Sequence, residues 1–222
     1  MNDAGPKLFQ RVAHETMSGQ VYEEIRRVIM GGLLEPGSVV SIRGLADQLG
    51  TSMMPVRDAL RRLLSERILE MDGPRRFRLK ALSKSEFKEI LSLRESLEGA
   101  LVEQAVAKIS AADIEKLSEL QDGMEHSVES MESFLKLNQE FHFIIYAAAN
   151  RPVTLNLIES LWLQVGPMLN YYIVRNGGQI AVHHHRTLID ALQRRDAFDA
   201  RAAILADLRD AAKVILDEAD VW

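Results

Sequence analysis

Two short helical patterns joined by a tight turn constrain this chain more than any other feature of its sequence. The first pattern, IRGLADQL, follows Ser41, and the second, MMPVRDALRRLL, follows Ser52. Serine is favoured at helix N-caps, and a proline such as Pro55 is tolerated in the first turn of a helix. Apolar residues recur at helical spacing in both patterns: Ile42, Leu45, Ala46 and Leu49, then Val56, Leu60, Leu63 and Leu64. With Gly50 between them, the two patterns predict a helix-turn-helix.

The residues on either side predict a winged helix. Upstream, MSGQVYEEIRRVIM predicts a helix that ends at Gly31 and Gly32. A Pro-Gly turn then leads to the short Val-rich run VVS, which predicts a brief strand. Downstream, ILEMDGPRRFRLKAL alternates around an Asp-Gly-Pro turn, which predicts a two-stranded hairpin, or wing. The hairpin tip and second strand carry Arg75, Arg76, Arg78 and Lys80. We expect residues 1–16 to form a flexible tail and residues 17–82 to form a winged helix-turn-helix DNA-binding domain.

Only helical patterns follow Ser83. Segments with a period near 3.6 residues cover about 85–109, 111–129, 133–150, 152–174, 180–194 and 197–218. Six helices of this length predict an antiparallel bundle with its own core, so we expect residues 83–222 to form a separate all-helical domain. The expected fold class is therefore mainly α, with an N-terminal winged helix-turn-helix and a C-terminal antiparallel six-helix bundle.

Composition and charge limit the classes of function. Through Leu82 there are 13 Lys and Arg against 10 Asp and Glu, whereas the remainder has 14 against 22. A basic front and an acidic back indicate that only the front approaches a polyanion. The chain has no cysteine, which excludes disulfides and thiolate metal sites. Its N-terminus lacks a signal-peptide apolar region and no apolar run is long enough for a membrane helix, so we expect a cytoplasmic protein without membrane contact.

The second helix of the predicted helix-turn-helix has the residues needed to enter the major groove of DNA. Arg57 and Arg61 lie four residues apart on one face, and Arg62 is adjacent. Cationic side chains on such a face can reach base edges, and the first-turn N–H groups beside Ser52 can hold a phosphate. The wing arginines are placed to contact the neighbouring backbone. The alternative is that these arginines only solubilise a surface helix, but a helix-turn-helix followed by an arginine-tipped hairpin favours DNA.

The front of the chain resembles the winged-helix domain of the GntR family of bacterial transcription regulators. The matching stretch is YEEIRRVIMGGLLEPGSVVSIRGLADQLGTSMMPVRDALRRLLSERILE, with a G-x-L-x-P-G turn, an LA-x-x-LG helix and an S-x-x-P-V-R-x-A-L-x-x-L recognition helix. The resemblance implies binding to double-stranded operator DNA. The residues expected at that interface are Arg43, Ser52, Met53, Met54, Pro55, Arg57, Arg61, Gly73, Arg75 and Arg76.

Two departures from the family pattern predict an unusual operator. The family usually has Arg-Thr where this chain has Met53-Met54, and that arginine commonly pairs with guanine, which methionine cannot do. The wing often reads Arg-Gly-Phe, whereas here it is Arg75-Arg76-Phe77. We therefore expect more reliance on apolar and phosphate contacts. Arg43, Arg57 and the wing charges remain, so DNA binding is expected to persist.

The back of the chain resembles the all-helical FadR-C-terminal (FCD) effector domain of one GntR subgroup. The matching stretches are LSLRESLEGALVEQAV, NQEFHFIIYAAANRP and HHHRTLIDALQRRDAFDA with the helix that follows. Many members hold a divalent metal through one Asp and three His, beside a small organic acid. The family's Asp-x-x-x-His corresponds to Asn138-x-x-x-His142, and the other two ligands correspond to His185 and Asp207. The resemblance implies a site for Zn, Ni or Mn, in which Asp207 supplies the charge that Asn138 lacks. The alternative is a buried structural histidine and a chance surface cluster at residues 183–185.

Arg94 is the expected effector-binding residue, because it corresponds to an arginine often found in these pockets. A guanidinium can hold an effector carboxylate through two hydrogen bonds. The alternative is a simple ion pair with Glu95 or Glu98. Trp162, Tyr171 and Tyr172 could line a pocket or serve as plain core.

The leading hypothesis is a ligand-responsive transcription regulator, of the repressor type, that binds its operator as a homodimer. One competing hypothesis is a metal-dependent hydrolase that uses His142 and His185. That class is disfavoured because the chain lacks H-E-x-x-H and any paired acid and base near those histidines. A third hypothesis, a DNA-binding scaffold without effector, differs from the first in whether small acids raise the melting temperature.

Overall fold

The computed structural model describes residues 16–126, 131–176 and 179–217. The tail predicted over residues 1–16 therefore lies outside the described residues, apart from Thr16. The side chains of Tyr171 and Tyr172 are also outside the described part of the chain. Within that part, the predicted architecture is confirmed: a small winged helix-turn-helix precedes an all-helical bundle.

The winged helix contains three helices and a three-stranded sheet. In chain order its elements are α1 Met17–Met30, β1 Val39–Ser41, α2 Ile42–Gln48, α3 Met53–Ser65, β2 Leu69–Met71 and β3 Arg76–Leu79. The prediction of a two-stranded wing was incomplete, because β1 pairs antiparallel with the free edge of β3 and gives the order β1-β3-β2. The brief strand predicted at VVS is confirmed, but a run of three residues does not indicate its partner, so the pairing could not be predicted from the sequence.

Local capping fixes the helix-turn-helix geometry. The Ser41 hydroxyl accepts a hydrogen bond from the Gly44 N–H at 3.0 Å, which begins α2. Gly50 has a φ of 62° in the turn, a left-handed conformation that glycine adopts without strain. Ser52 occupies the N-cap position of α3, but its side chain makes no capping hydrogen bond. The first turn of α3 therefore keeps donors free for another partner.

The bundle starts almost directly after the wing. Its helices are α4 Lys84–Ala105, α5 Ala111–His126, α6 Met131–Ala148, α7 Pro152–Asn176, α8 Gln179–Arg194 and α9 Ala197–Asp217. A capping box begins α4, because the Ser83 side chain bonds the Glu86 backbone and the Glu86 side chain bonds the Ser83 backbone. Helix α9 packs on α4 and α8, and α5 packs on α6 and α8. Among the described residues, the three largest fully buried side chains, Trp162, Tyr146 and Phe141, belong to α6 and α7.

One hydrophobic core runs through both parts of the molecule. Helix α7 joins them, because it packs against α1 of the winged helix as well as against its neighbours in the bundle. Among the described residues, no helix has the length and apolar content of a membrane span.

Candidate effector site and DNA-binding surface

The outer face of α3 exposes most of the residues predicted to contact DNA. The side chains of Met53 and Met54 are 52% and 69% exposed, and Arg57 and Arg61 are also exposed. The Arg43 side chain on α2 is 87% exposed, and its Nε atom lies 4.0 Å from an Asp47 carboxylate oxygen. Ser52 is exposed and Pro55 is half-buried. The helix thus presents two cations and two thioethers on one surface.

Arg62 differs from the other arginines of α3. Its Nε atom lies 3.1 Å from a Glu66 oxygen, and its guanidinium lies 3.6 Å above the Tyr22 ring of α1. The Tyr22 hydroxyl in turn donates to both Glu66 carboxylate oxygens, at 2.7 and 2.8 Å. Burial and the Glu66 carboxylate raise the pKa of Tyr22 to about 12. Arg62 therefore ties α3 to α1.

The wing divides its basic residues between two roles. Arg75 is exposed at the tip beside Gly73, whose φ is 93°. Arg76 is also exposed and lies 3.3 Å from Asp72. Arg78 instead clamps the hairpin, since it donates to Asp72 at 2.8 Å and to the Gly37 carbonyl at 2.9 Å.

Lys80 also has a structural partner, because its ammonium group contacts Glu86 at 2.7 Å. That contact lowers the pKa of Glu86 to about 2, with help from the Ser83 backbone and hydroxyl. Arg75 and Arg76 therefore remain as the wing cations that face outward.

Three of the four predicted metal ligands meet in the bundle core. His142 comes from α6, His185 from α8 and Asp207 from α9. The two histidine Nε2 atoms lie 3.3 Å apart, and the Asp207 carboxylate lies 3.5 Å from His142 and 3.7 Å from His185. All three residues are buried. This group could hold a metal ion, because its ligand atoms lie within 4.8 Å of one another.

Neighbouring groups fix which nitrogen of each histidine faces the cluster. The Gln121 side-chain oxygen lies 3.0 Å from His185 Nδ1, and an amide oxygen can only accept a hydrogen bond. The Tyr146 hydroxyl donates to Glu98, so its oxygen accepts from His142 Nδ1 at 3.2 Å. Both Nδ1 atoms therefore carry the proton, and both Nε2 atoms direct lone pairs toward the cluster.

The spacing of these lone pairs fits a cation. Two nitrogens bound tetrahedrally at about 2.0–2.1 Å from one zinc ion would lie roughly 3.3–3.4 Å apart. The observed separation of the Nε2 atoms of His142 and His185 is 3.3 Å. In the tautomers described above, neither Nε2 atom can donate a hydrogen bond to the other. A cation between them would resolve this contact, and Asp207 would contribute a compensating negative charge.

Burial shifts the pKa of each of the three groups in the direction that favours its neutral form. Desolvation lowers the pKa of His185 to about 3, with a further contribution from nearby His184. Desolvation, His185 and Arg94 lower the pKa of His142 well below its ordinary value. Desolvation also raises the pKa of Asp207 to about 7. The histidines are therefore neutral and available as ligands at physiological pH.

The fourth predicted ligand, Asn138, lies on α6 one helical turn before His142 and is half-buried. Residues four apart share a helical face, so its position is compatible with the cluster. Its role as a ligand stays a prediction.

Arg94, the predicted effector-binding residue, lies in a buried hydrogen-bonded network next to the cluster. Its Nε donates to Glu98 at 2.7 Å, which realises the ion pair considered as an alternative from the sequence. Glu98 is fully buried and also accepts from the Trp162 indole N–H at 3.0 Å. The Arg94 guanidinium lies 4.9 Å from the Trp162 ring centre. Whether Arg94 also holds an effector carboxylate stays a prediction.

Two polar residues of this site, Gln121 and Tyr146, were not predicted from the sequence, and Glu98 was predicted only as a possible ion-pair partner of Arg94. Two of these three residues had a usable signal. Glu98 follows Arg94 by four residues, and Tyr146 follows His142 by four residues, so each pair was bound to share a helical face. Gln121 had no such signal, because its partner His185 lies on another helix.

Comparisons with known proteins agree with both parts of the fold. The family model described as "Bacterial regulatory proteins, gntR family" matches residues 17–78, and the model described as "FCD domain" matches residues 89–210. The HTH-type transcriptional regulator McbR of Escherichia coli is 31% identical over 191 residues, which cover 84% of this chain and 86% of McbR. The HTH-type transcriptional repressor RspR of the same organism is 21% identical and covers 94% of both chains.

A solved structure of E. coli McbR/YncC has the same fold. It aligns with a TM-score of 0.85 at 28% identity, over 91% of this chain and 98% of that one. The family and these relatives are regulators, so the hydrolase alternative is not supported. With an FCD match over more than half of its length, the chain belongs to the GntR family of bacterial regulatory proteins and is a transcription regulator with an FCD effector domain.

Proposed function

We propose that this regulator binds operator DNA as a homodimer and represses transcription until a small organic acid binds beside a divalent metal in the bundle. In this proposal residues 17–82 form the DNA-binding domain and residues 83–222 form the effector-binding and dimerisation domain. The protein acts in the cytoplasm, where its operator DNA is. The observation that carries the effector part is the convergence of two imidazole lone pairs and one carboxylate at His142, His185 and Asp207.

The DNA part is supported by the exposed face of α3. Arg57 and Arg61 would reach base edges or phosphates in the major groove, while Met53 and Met54 would contact apolar base edges such as the thymine methyl group. Ser52 and the first-turn N–H groups of α3 would receive a phosphate, because no side chain caps them. Arg43 would add a backbone contact from α2, and Arg75 and Arg76 would add contacts from the wing.

A homodimer is supported by the small reach of one recognition helix. A single helix reads only a few base pairs, and a two-fold pair on a near-palindromic site doubles both the contacts and the specificity. RspR is named as a transcriptional repressor, which supports repression as the mode of action.

The metal part is supported by the chemistry of the ligands. His142, His185, Asp207 and Asn138 would hold Zn, Ni or Mn, and the bound cation would supply a positive charge for an effector carboxylate. Gln121 and Tyr146 orient the two imidazoles. Arg94 would add a second cationic contact to the acid if it loosens its pairing with Glu98.

The test begins with selection of binding sites from a random double-stranded DNA library by the full-length protein. Affinity for the selected site is then measured on metal-free protein, on zinc-loaded protein and on zinc-loaded protein with a panel of small mono- and dicarboxylic acids. We expect at least one acid to weaken binding only when zinc is present. If no DNA sequence is enriched, the operator proposal fails, and if every acid acts equally without metal, the metal-linked effector proposal fails.

A further inference from the structure

Helix α7 contacts the buried cluster and the winged helix at the same level, on two adjacent faces. One face carries Ile158, Trp162 and Val165, which are buried in the bundle core. The adjacent face carries Glu159, Leu163 and Gly166, which follow them by one position and turn toward the winged helix. Both faces belong to one helical backbone, so a displacement of that backbone moves the side chains on both faces.

On the bundle side, Trp162 is the contact between α7 and the polar network. Its indole N–H donates to Glu98, and its ring centre lies 5.3 Å from that of His142. Arg94 covers the same ring. Any ligand that repositions His142 or draws Arg94 away from Glu98 therefore changes the surroundings of Trp162.

On the other side, Gly166 allows the backbones of α7 and α1 to touch. A Cβ atom at Gly166 would lie 2.8 Å from both the Cα and the carbonyl oxygen of Met30, and closer still to the Ile29 carbonyl oxygen. Those atoms belong to main chain, so no side-chain rotation could make room. Glu159 adds an ion pair to Arg26 of α1 at 3.3 Å.

Helix α1 in turn holds the recognition helix. The Tyr22 hydroxyl donates to Glu66 at the end of α3, and Arg62 of α3 stacks over the Tyr22 ring. The contacts thus run without a gap from the cluster through Trp162, α7, Gly166, α1 and Tyr22 to α3.

We propose that α7 transmits the state of the His/Asp cluster to the recognition helix, and that Gly166 is the positioning residue through which this passes to α1. The inference rests on the proposed function, since the coupling has a use only if the cluster binds a ligand. It assigns the signal to a helix-to-helix backbone contact, and not to the chain connection at Ser83.

The test is amide hydrogen exchange on the full-length chain, read in peptides covering residues 25–34 at the end of α1. Gly166→Ala should accelerate exchange in those peptides by roughly tenfold or more while α5, α6 and α8 stay protected, because only the contact between α7 and α1 is opened. The matched control is Gly123→Ala in α5. A Cβ there would meet only the flexible Leu137 side chain, at 3.1 Å, so residues 25–34 should behave as in wild type.

Coupling is measured with a second perturbation, Trp162→Phe, which removes the indole donor to Glu98. It should change exchange over residues 25–34 in the wild-type background and leave them unchanged in the Gly166→Ala background. Zinc is the second probe, and zinc that binds should produce the same contrast between the two backgrounds.

Three results would overturn the proposal. The first is wild-type protection of residues 25–34 in Gly166→Ala. The second is a uniform acceleration over the whole chain, which indicates global destabilisation. The third is a response to Trp162→Phe, or to bound zinc, that stays within the bundle. Failure of wild type to bind zinc contradicts the metal part of the proposed function alone, because the Trp162→Phe arm still decides the coupling.

Discussion

The Nε2 atoms of His142 and His185 lie 3.3 Å apart in front of the Asp207 carboxylate, and hydrogen bonds from the opposite side of each ring fix both lone pairs toward the gap. In a core that serves only packing this arrangement is unfavourable, because the lone pairs of the two Nε2 atoms repel each other and no proton lies between them. It is favourable around a cation, because each histidine already has the tautomer and orientation of a ligand. The first predictions test this interpretation.

Removing either imidazole should empty the site. We expect wild type to hold one Zn, Ni or Mn ion per chain and both His142→Ala and His185→Ala to lose it, as measured by metal analysis after dialysis. Wild type should also gain thermal stability on metal addition. An ion at a hundredfold excess over its Kd stabilises the folded state by about 2.7 kcal/mol. His183→Ala is the matched control, because His183 is an exposed neighbour on the same helix. Equal metal content in all four proteins would rule out the assigned ligands.

Asn138→Asp should tighten metal binding. The substitution keeps the size of the side chain and replaces a neutral amide oxygen by a charged carboxylate, which is the better ligand for a divalent ion. Titration calorimetry with zinc on wild type and variant measures the difference, and Gln139→Glu adds a charge at the neighbouring position as a control. An unchanged Kd would show that residue 138 does not reach the ion.

Asp207 should make metal-free protein less stable as pH rises. Burial raises the pKa of this carboxyl from 3.8 to about 7, so the fold keeps it protonated where the unfolded chain ionises it. The contribution of Asp207 to the free energy of unfolding is therefore fully present below pH 3.8. It is lost as the pH rises through 7. Asp207→Asn cannot ionise, so without metal it should exceed wild type in stability at pH 8 by on the order of a few kcal/mol and match it near pH 4.

The comparison is made by urea denaturation in the presence of a chelator. With zinc added, the order at pH 8 should reverse, because the charged carboxylate is a stronger ligand for the ion than a neutral amide oxygen. The same order with and without zinc would argue against Asp207 as a ligand.

Most of the fold could be predicted from apolar periodicity and helix caps. The features that could not be predicted depend on contacts between residues far apart in the chain. Apolar spacing and the serine caps placed the recognition helix, whose inner residues Val56, Leu60 and Leu63 are fully buried. The brief strand β1 was predicted, but its pairing with β3 was missed, because a run of three residues does not indicate which strand it pairs with. The close contact of Gly166 with α1 was not predicted either, because a glycine within LWLQVGPML does not indicate which backbone approaches it.

The candidate sites were also predictable only in part, because a local pattern shows the type and spacing of residues but not their partners in the fold. Spacing grouped all the front arginines together, yet Arg62 and Arg78 bind carboxylates of their own domain. Arg57, Arg61 and Arg75 are exposed, and Arg43 and Arg76 are exposed although each also has a carboxylate nearby. Partner choice depends on which acid the fold brings near, which no local pattern records. His142, His185 and Asp207 came together as the family resemblance implied, although 65 residues of chain separate the first from the last.

Arg57→Ala should weaken binding to the selected operator while the fold stays intact. Arg57 lies on the exposed face of α3, and loss of a bidentate base contact costs about 1–3 kcal/mol and relaxes specificity at one base position. Fluorescence anisotropy on the operator and on a single-base variant measures both effects. Lys116→Ala in α5 is the control for loss of one positive charge. Wild-type affinity in Arg57→Ala would show that α3 does not dock through this face.

DNA affinity should fall steeply with salt, and the slope should separate the wing residues by role. Each contact between a cationic side chain and a phosphate releases condensed counterions. The loss of one such contact therefore lowers the slope of log K against log salt by about one. Arg75 and Arg76 face outward, and alanine at either position should lower the slope by that amount per chain. Lys80 contacts Glu86 at 2.7 Å, so Lys80→Ala should leave the slope near the wild-type value.

The same titrations run with sedimentation analysis should give two chains per operator, because one recognition helix reads too few base pairs for specific binding. A single chain per operator would contradict the dimer, and an equal loss of slope in all three variants would contradict the division of roles within the wing.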